Sequence, residues 1–126
     1  MSAQSDRKQV LIVEDNKDMG RIYEDMFRGE GQYLIEIQDD ARVAFKRLEA
    51  KEYDLIILDI IMEPMAGDIF YACVKQDTRL QKIPVIVVSV LHPDDLEYMK
   101  KENRIEFLRK PIKKEQLFDK IEKILT

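Results

Sequence analysis

The chain has 126 residues, enough for one domain around one core and too few for two. With 45% apolar and 37% charged residues and a net charge of −4, it reads as globular and heavily charged. Its basic residues are spread out apart from Arg109 to Lys114, so the basic face that nucleic-acid binding needs is missing.

No apolar run approaches the roughly 20 residues that span a membrane. The polar segment Met1 to Lys8 is no signal peptide. One cysteine, Cys73, cannot form an internal disulfide, which fits a reducing cytoplasm, and one histidine, His92, argues against a histidine metal site.

Residues 1–8 read as a flexible tail and residues 9–126 as the folded domain. Gln9 to Val13 is the first strand, and it runs into Glu14, Asp15 and Asn16. Asp15 or Asn16 can cap the helix that follows. In that helix Met19, Ile22, Tyr23 and Met26 recur at i, i+3, i+4 and i+7, which predicts a buried stripe. Gly29 and Gly31 bracket its end. Tyr33 to Gln38 alternates, with Tyr33, Ile35 and Ile37 on one face and Glu36 and Gln38 on the other, the half-wet pattern of a strand near a sheet edge. A second helix is expected over about Ala41 to Ala50, with Ala41, Ala44, Phe45 and Leu48 inward.

Leu55 to Leu58 is an apolar run bounded by Asp54 and Asp59, as suits a strand buried on both faces of a parallel sheet. A loop over Ile60 to Gly67 contains Pro64. The third helix is predicted to bury Ala66, Ile69, Phe70 and Cys73. Pro84 to Val88 is the fourth strand and ends at Ser89. Pro93 suits the first turn of a fourth helix, whose clear apolar anchors are Leu96 and Met99 among many charges. So few buried contacts imply a low local opening energy. Ile105 to Leu108 is the fifth strand, followed by Arg109, Lys110 and Pro111, and the last helix turns Leu117, Ile121, Ile124 and Leu125 inward. Five β-α repeats give an α/β fold: a doubly wound five-stranded parallel sheet of flavodoxin-like (βα)5 type, order 2-1-3-4-5.

In such sheets ligand chemistry sits at the carboxyl ends of the strands. Here those ends carry Glu14 and Asp15, Asp59, Ser89 and Lys110. Taken singly, each has a bland reading as a cap, a satisfied hydroxyl or surface charge. Taken together they converge, because the first and third strands are neighbours roughly 4.8 Å apart. Three close carboxylates repel and need compensation. A hard divalent cation with oxygen ligands supplies it, and Mg²⁺ suits a site with few carboxylates. The fifth strand is roughly 10 Å from the third, a gap that a lysine stem largely covers. Acids of about −3, a cation of +2 and Lys110 at +1 sum to near zero. A balanced site of this kind can accept a phosphoryl group on a carboxylate.

These residues resemble the receiver domain of two-component response regulators over about Gln9 to Leu125. The resemblance rests on the acid pair after the first strand, Asp59 after the third, a hydroxyl 30 residues on, and Lys-Pro after the fifth. It implies that Asp59 is the phosphoacceptor, attacking phosphorus in the phosphohistidine of a sensor histidine kinase or phosphotransfer protein. Asp15 would bind Mg²⁺ directly, Glu14 through water, and the backbone carbonyl of Ile61 would add a ligand beside Asp59. Ser89 would hydrogen-bond the phosphoryl oxygens and Lys110 would pair with Asp59. Phe107 matches an aromatic switch position, and the Lys110–Pro111 bond would be cis. The output would be a changed surface for a downstream protein partner or an output domain. That surface is formed by the fourth helix, fifth strand and fifth helix, and a homodimer through the fourth and fifth helices is left open. No output domain follows Thr126 here, so the domain would act alone or belong to a longer protein.

Three departures stand out. Glu63 occupies a position usually held by proline, with Pro64 one later, which implies a reshaped loop. Val90 follows the switch hydroxyl where a small residue is usual, and Ile61 and Leu91 replace polar residues that position water in other members. A slowly self-hydrolysing aspartyl phosphate is expected. The main rival is a receiver-like interaction module that is never phosphorylated. A flavin or nucleotide site would need a loop of N–H donors where Glu14 and Asp15 stand. A haloacid-dehalogenase-like phosphatase would need a second Asp where Ile61 stands.

Overall fold

The computed structural model describes residues 7–99 and 104–126. Its elements in chain order are β1 (Lys8–Val13), α1 (Lys17–Phe27), β2 (Tyr33–Gln38), α2 (Ala41–Ala50), β3 (Leu55–Leu58) and α3 (Gly67–Gln76). There follow β4 (Val85–Ser89), a 3-10 segment (Pro93–Met99), β5 (Ile105–Arg109) and α4 (Lys114–Leu125). The five strands form one parallel sheet in the order β2-β1-β3-β4-β5, as expected. β1 begins at Lys8, one residue earlier than expected, and the tail expected over 1–8 falls outside the described residues as far as Asp6.

The central strands are apolar throughout because the sheet has a core on each face. Leu11, Val13, Ile56, Leu58, Val85 and Val87 face one layer with α2 and α3. Val10, Ile12, Leu55, Ile57, Ile86 and Val88 face the other with α1 and α4. Alternate residues of one strand thus serve opposite layers, as the pleat requires. β2 and β5 are the edges. Each carries a glutamate tied to a neighbouring helix. Glu36 of β2 accepts from Arg47 of α2 at 2.8 and 3.1 Å and from the Tyr53 hydroxyl at 2.8 Å. Glu106 of β5 lies 2.7 Å from Lys123 of α4.

Helices α1 and α2 start where side-chain oxygens satisfy their first amides. Asn16 accepts from the Met19 N–H at 2.8 Å, and Asp40 accepts from the Arg42 N–H at 2.8 Å. Two helix faces differ from their expected phase. In α1, Tyr23 and Phe27 are buried, Met19 and Met26 pack beside them, and Ile22 is 44% exposed. In α3, Phe70, Tyr71 and Val74 are buried, Cys73 is half-buried and Ile69 is 53% exposed. Both helices offer more apolar residues than one face can hold, so the sheet selects the set that completes its layer.

The fourth expected helix is a 3-10 segment interrupted at Leu96, whose φ of −112° and ψ of 20° leave helical geometry. Leu96 and Met99 are its buried anchors, while Tyr98 is 57% exposed, with its hydroxyl 3.4 Å from Asp68 Oδ2. Lys100 and Lys101, read as part of this helix, lie outside the described residues.

Candidate functional site

Strand register builds the site. Val13 pairs with Leu58, so Glu14 and Asp59 leave the sheet side by side, and the Asp59 N–H donates to the Val13 carbonyl at 3.1 Å. Ser89 pairs with Arg109, so Lys110 leaves β5 beside Ser89, and its N–H donates to the Ser89 carbonyl at 2.8 Å. The side chains of Glu14, Asp59 and Ser89 are the buried polar groups here, whereas Asp15 is exposed at the rim.

The Lys110 ammonium reaches back across β4 and donates to Glu14 Oε1 at 2.9 Å and to Asp59 Oδ2 at 3.1 Å. The Asp59 Oδ1 atom accepts from the Ile61 N–H at 3.1 Å, and Glu14 Oε2 accepts from the Asn16 N–H at 3.2 Å. Carboxylate oxygens of Glu14, Asp15 and Asp59 all lie within 4.8 Å of one another. That spacing, with hard oxygen donors open to solvent on the Asp15 side, fits a divalent cation that keeps several waters. Burial pushes the Glu14 carboxyl up. The Lys110 hydrogen bond draws it back, the Asp59 charge pushes it up again, and the net position is above the ordinary range. For Lys110, burial favours the neutral amine, but the bonds and charges of Glu14 and Asp59 prevail and hold its pKa above the ordinary value.

The structure therefore gathers Glu14, Asp15, Asp59 and Lys110 at one point, with Ser89 joined through the backbone. The Ser89 hydroxyl accepts from the Leu91 N–H at 3.3 Å. Phe107 is placed apart, half-buried on β5 and packed against the layer that holds Leu96 and Met99. Ile61 enters through its N–H, and its side chain, like that of Val90, is more than half exposed at the rim. The Lys110–Pro111 bond is cis, as the resemblance implied, and Glu63–Pro64 is cis as well. Two contacts went unforeseen. The Glu63 N–H donates to Asp15 Oδ2 at 3.3 Å, and Gly67 donates to the Ile60 carbonyl at 2.8 Å. The unusual Glu63-Pro64 order marked that loop without showing where it would fasten.

The profile of the response regulator receiver domain matches residues 10–122. The sensor histidine kinase TmoS of Ectopseudomonas mendocina is 30% identical over 125 residues, 98% of this chain and 12% of that protein. The chemotaxis protein CheY of Pseudomonas aeruginosa is 29% identical over 92% of this chain and 94% of its own length. Among solved structures, the receiver domain of a Pseudomonas aeruginosa sensor histidine kinase, with a magnesium ion coordinated in its active site cleft, superposes with a TM-score of 0.82. It is 22% identical and covers 94% of this chain and 98% of its own. Fold, strand-end residues and profile agree, and the chain belongs to the response regulator receiver domain family.

Proposed function

We propose that the protein is a phosphoacceptor switch in which Asp59 takes a phosphoryl group from the phosphohistidine of a sensor histidine kinase or phosphotransfer protein. The observation that carries this reading is the Lys110 ammonium shared between Glu14 and Asp59 beside a third carboxylate. Such a cluster suits the negative charge that grows during phosphoryl transfer.

An Asp59 carboxylate oxygen would bond to phosphorus as the donor's P–N bond breaks and its electron pair returns to the imidazole. The Ile61 N–H and the Lys110 ammonium hold the two carboxylate oxygens, one each, and so fix the direction of approach. Glu14, Asp15 and Asp59, with the Ile61 carbonyl, are the residues that would hold Mg²⁺. When bound, Mg²⁺ supplies neutralising charge for the phosphoryl oxygens. Lys110 then pairs with the phosphoryl group, and Ser89 turns from the Leu91 amide to donate to it. Movement of Ser89 frees space on the Phe107 side, and the 3-10 segment, anchored by Leu96 and Met99, shifts to present a new surface to a downstream protein partner or an output domain. No helix among the described residues is long and apolar enough to cross a membrane. The reaction proposed belongs to the cytoplasm and involves no direct nucleic-acid contact.

Incubation with acetyl phosphate and Mg²⁺, followed by intact-mass measurement, tests the proposal. One added phosphoryl group is expected, and none in Asp59→Asn. An unmodified wild-type mass would leave a receiver-like module that acts through protein contacts alone.

A further inference from the structure

Asp59 is buried, and its carboxylate has two fixed partners. What holds its backbone is less obvious, because β3 ends at Leu58 and the chain enters a loop that runs to Ala66. On one side the Asp59 N–H is fastened to the Val13 carbonyl at 3.1 Å. On the other side the first residue of α3, Gly67, donates to the Ile60 carbonyl at 2.8 Å and lies flat against the peptide that joins Asp59 to Ile60.

The approach is closer than any side chain permits. A Cβ on Gly67 would stand 2.7 Å from the Ile60 Cα and 2.9 Å from the Asp59 carbonyl carbon, with the Asp59 carbonyl oxygen nearer still. All three are backbone atoms, so no rotamer change relieves the clash. The φ of Gly67 lies outside the left-handed region, and glycine is required here for space rather than for conformation. With a side chain present, either α3 retreats and loses the Gly67–Ile60 hydrogen bond, or the Asp59–Ile60 peptide rotates. Rotation carries along the Ile61 N–H that holds Asp59 Oδ1.

We propose that Gly67 is a positioning residue for phosphoryl acceptance: its bare Cα lets the start of α3 brace the Asp59–Ile60 peptide and so sets the direction of the Asp59 carboxylate. This rests on Asp59 being the phosphoacceptor. Gly67 touches neither donor nor phosphorus and acts only through the peptide it supports. Gly20 of α1 is the natural contrast, since a Cβ there would meet only Ile37 Cγ2, at an ordinary 4.0 Å.

The test is the rate of phosphorylation by acetyl phosphate with saturating Mg²⁺, as a function of donor concentration, in wild type, Gly67→Ala and Gly20→Ala. Gly67→Ala is expected to lose at least tenfold in maximal rate with the half-saturating donor concentration unchanged, while Gly20→Ala matches wild type. A folded Gly67→Ala protein with wild-type maximal rate overturns the proposal. So does a loss confined to donor affinity. Where Gly67→Ala does not fold, glycine-labelled wild type decides. The Gly67 amide resonance should move on Mg²⁺ addition while those of Gly29 and Gly31 stay, and an unmoved Gly67 overturns the proposal. A wild-type protein that takes no phosphoryl group fails the functional reading, whereas this outcome with a normally phosphorylated wild type fails only the role of Gly67.

Discussion

Lys110 and Glu14 meet across 96 positions of sequence, with Nζ 2.9 Å from Oε1 and the Glu14 side chain 1% exposed. Two buried carboxylates depend on this one ammonium. Replacement Lys110→Met should therefore destabilise the Mg²⁺-free protein by about 3 kcal/mol, the usual consequence of leaving a buried charge unpaired. Added Mg²⁺ should recover part of the loss. Urea unfolding with and without Mg²⁺ checks both statements, and an unchanged midpoint in the metal-free variant would contradict them.

Relief of repulsion should act in the opposite sense. Asp59→Asn removes one of three clustered carboxylates while keeping an oxygen for the Ile61 N–H. The metal-free variant is expected to be more stable than wild type by about 1 kcal/mol, and to gain less from Mg²⁺. Thermal or urea denaturation at low salt reads the difference.

The rim around Asp59 is apolar where Ile61 and Val90 stand, 54% and 55% exposed. Water that attacks an aspartyl phosphate from this side must pass them. The phosphoryl group should persist for minutes or longer after donor removal, and Val90→Ala should shorten its lifetime several-fold. Loss within seconds from the wild-type protein would count against the rim as a barrier.

Signal transmission through Ser89 should be local. Phosphorylation is expected to change amide hydrogen exchange most over residues 89–108, where the 3-10 segment has few buried anchors. Ser89→Ala should still accept phosphoryl but lose most of that change. Uniform changes across the chain would be the contrary result.

Acid stability has a separate origin. The Arg47 hydrogen bonds lower the Glu36 pKa to about 2 from 4.5, against the opposing effect of burial. A depressed carboxylate stabilises the fold fully above its unfolded value and loses that contribution as pH falls through the folded one. The window is thus about pH 4.5 down to 2. Arg47→Ala should flatten the fall of stability across this window, as read from urea midpoints at successive pH values.

Most of the frame was legible because the central strands are short, apolar and end on chemistry. The run Leu55 to Leu58 between two acids admits few other readings, and the βα alternation then fixes which strand ends converge. Less legible was the phase of α1 and α3. In α3, Ile69 to Val74 is apolar at every position, so periodicity alone cannot say that Tyr71 and Val74 turn inward and Ile69 does not. The 3-10 segment departs from a helix because its two anchors, Leu96 and Met99, are satisfied without regular turns. Gly67 was legible as the end of the loop over Ile60 to Gly67, but the contact that demands it is a backbone approach, which leaves no pattern in side-chain chemistry.

The two ion-paired glutamates on the border strands have a consequence for how the molecule behaves in a crowd. Border strands offer unpaired amides and carbonyls to any passing chain, and a charge aimed inward is one defence against that. Glu36 sits on β2, held by Arg47 of α2 and the Tyr53 hydroxyl, and Glu106 sits on β5 beside Lys123 of α4. A one-residue slip would turn Glu36 into the layer that Tyr33, Ile35 and Ile37 now fill and turn those three away from it, and a stacked copy would inherit the same misfit. Both flanks of the sheet are thereby guarded against aggregation by strand addition.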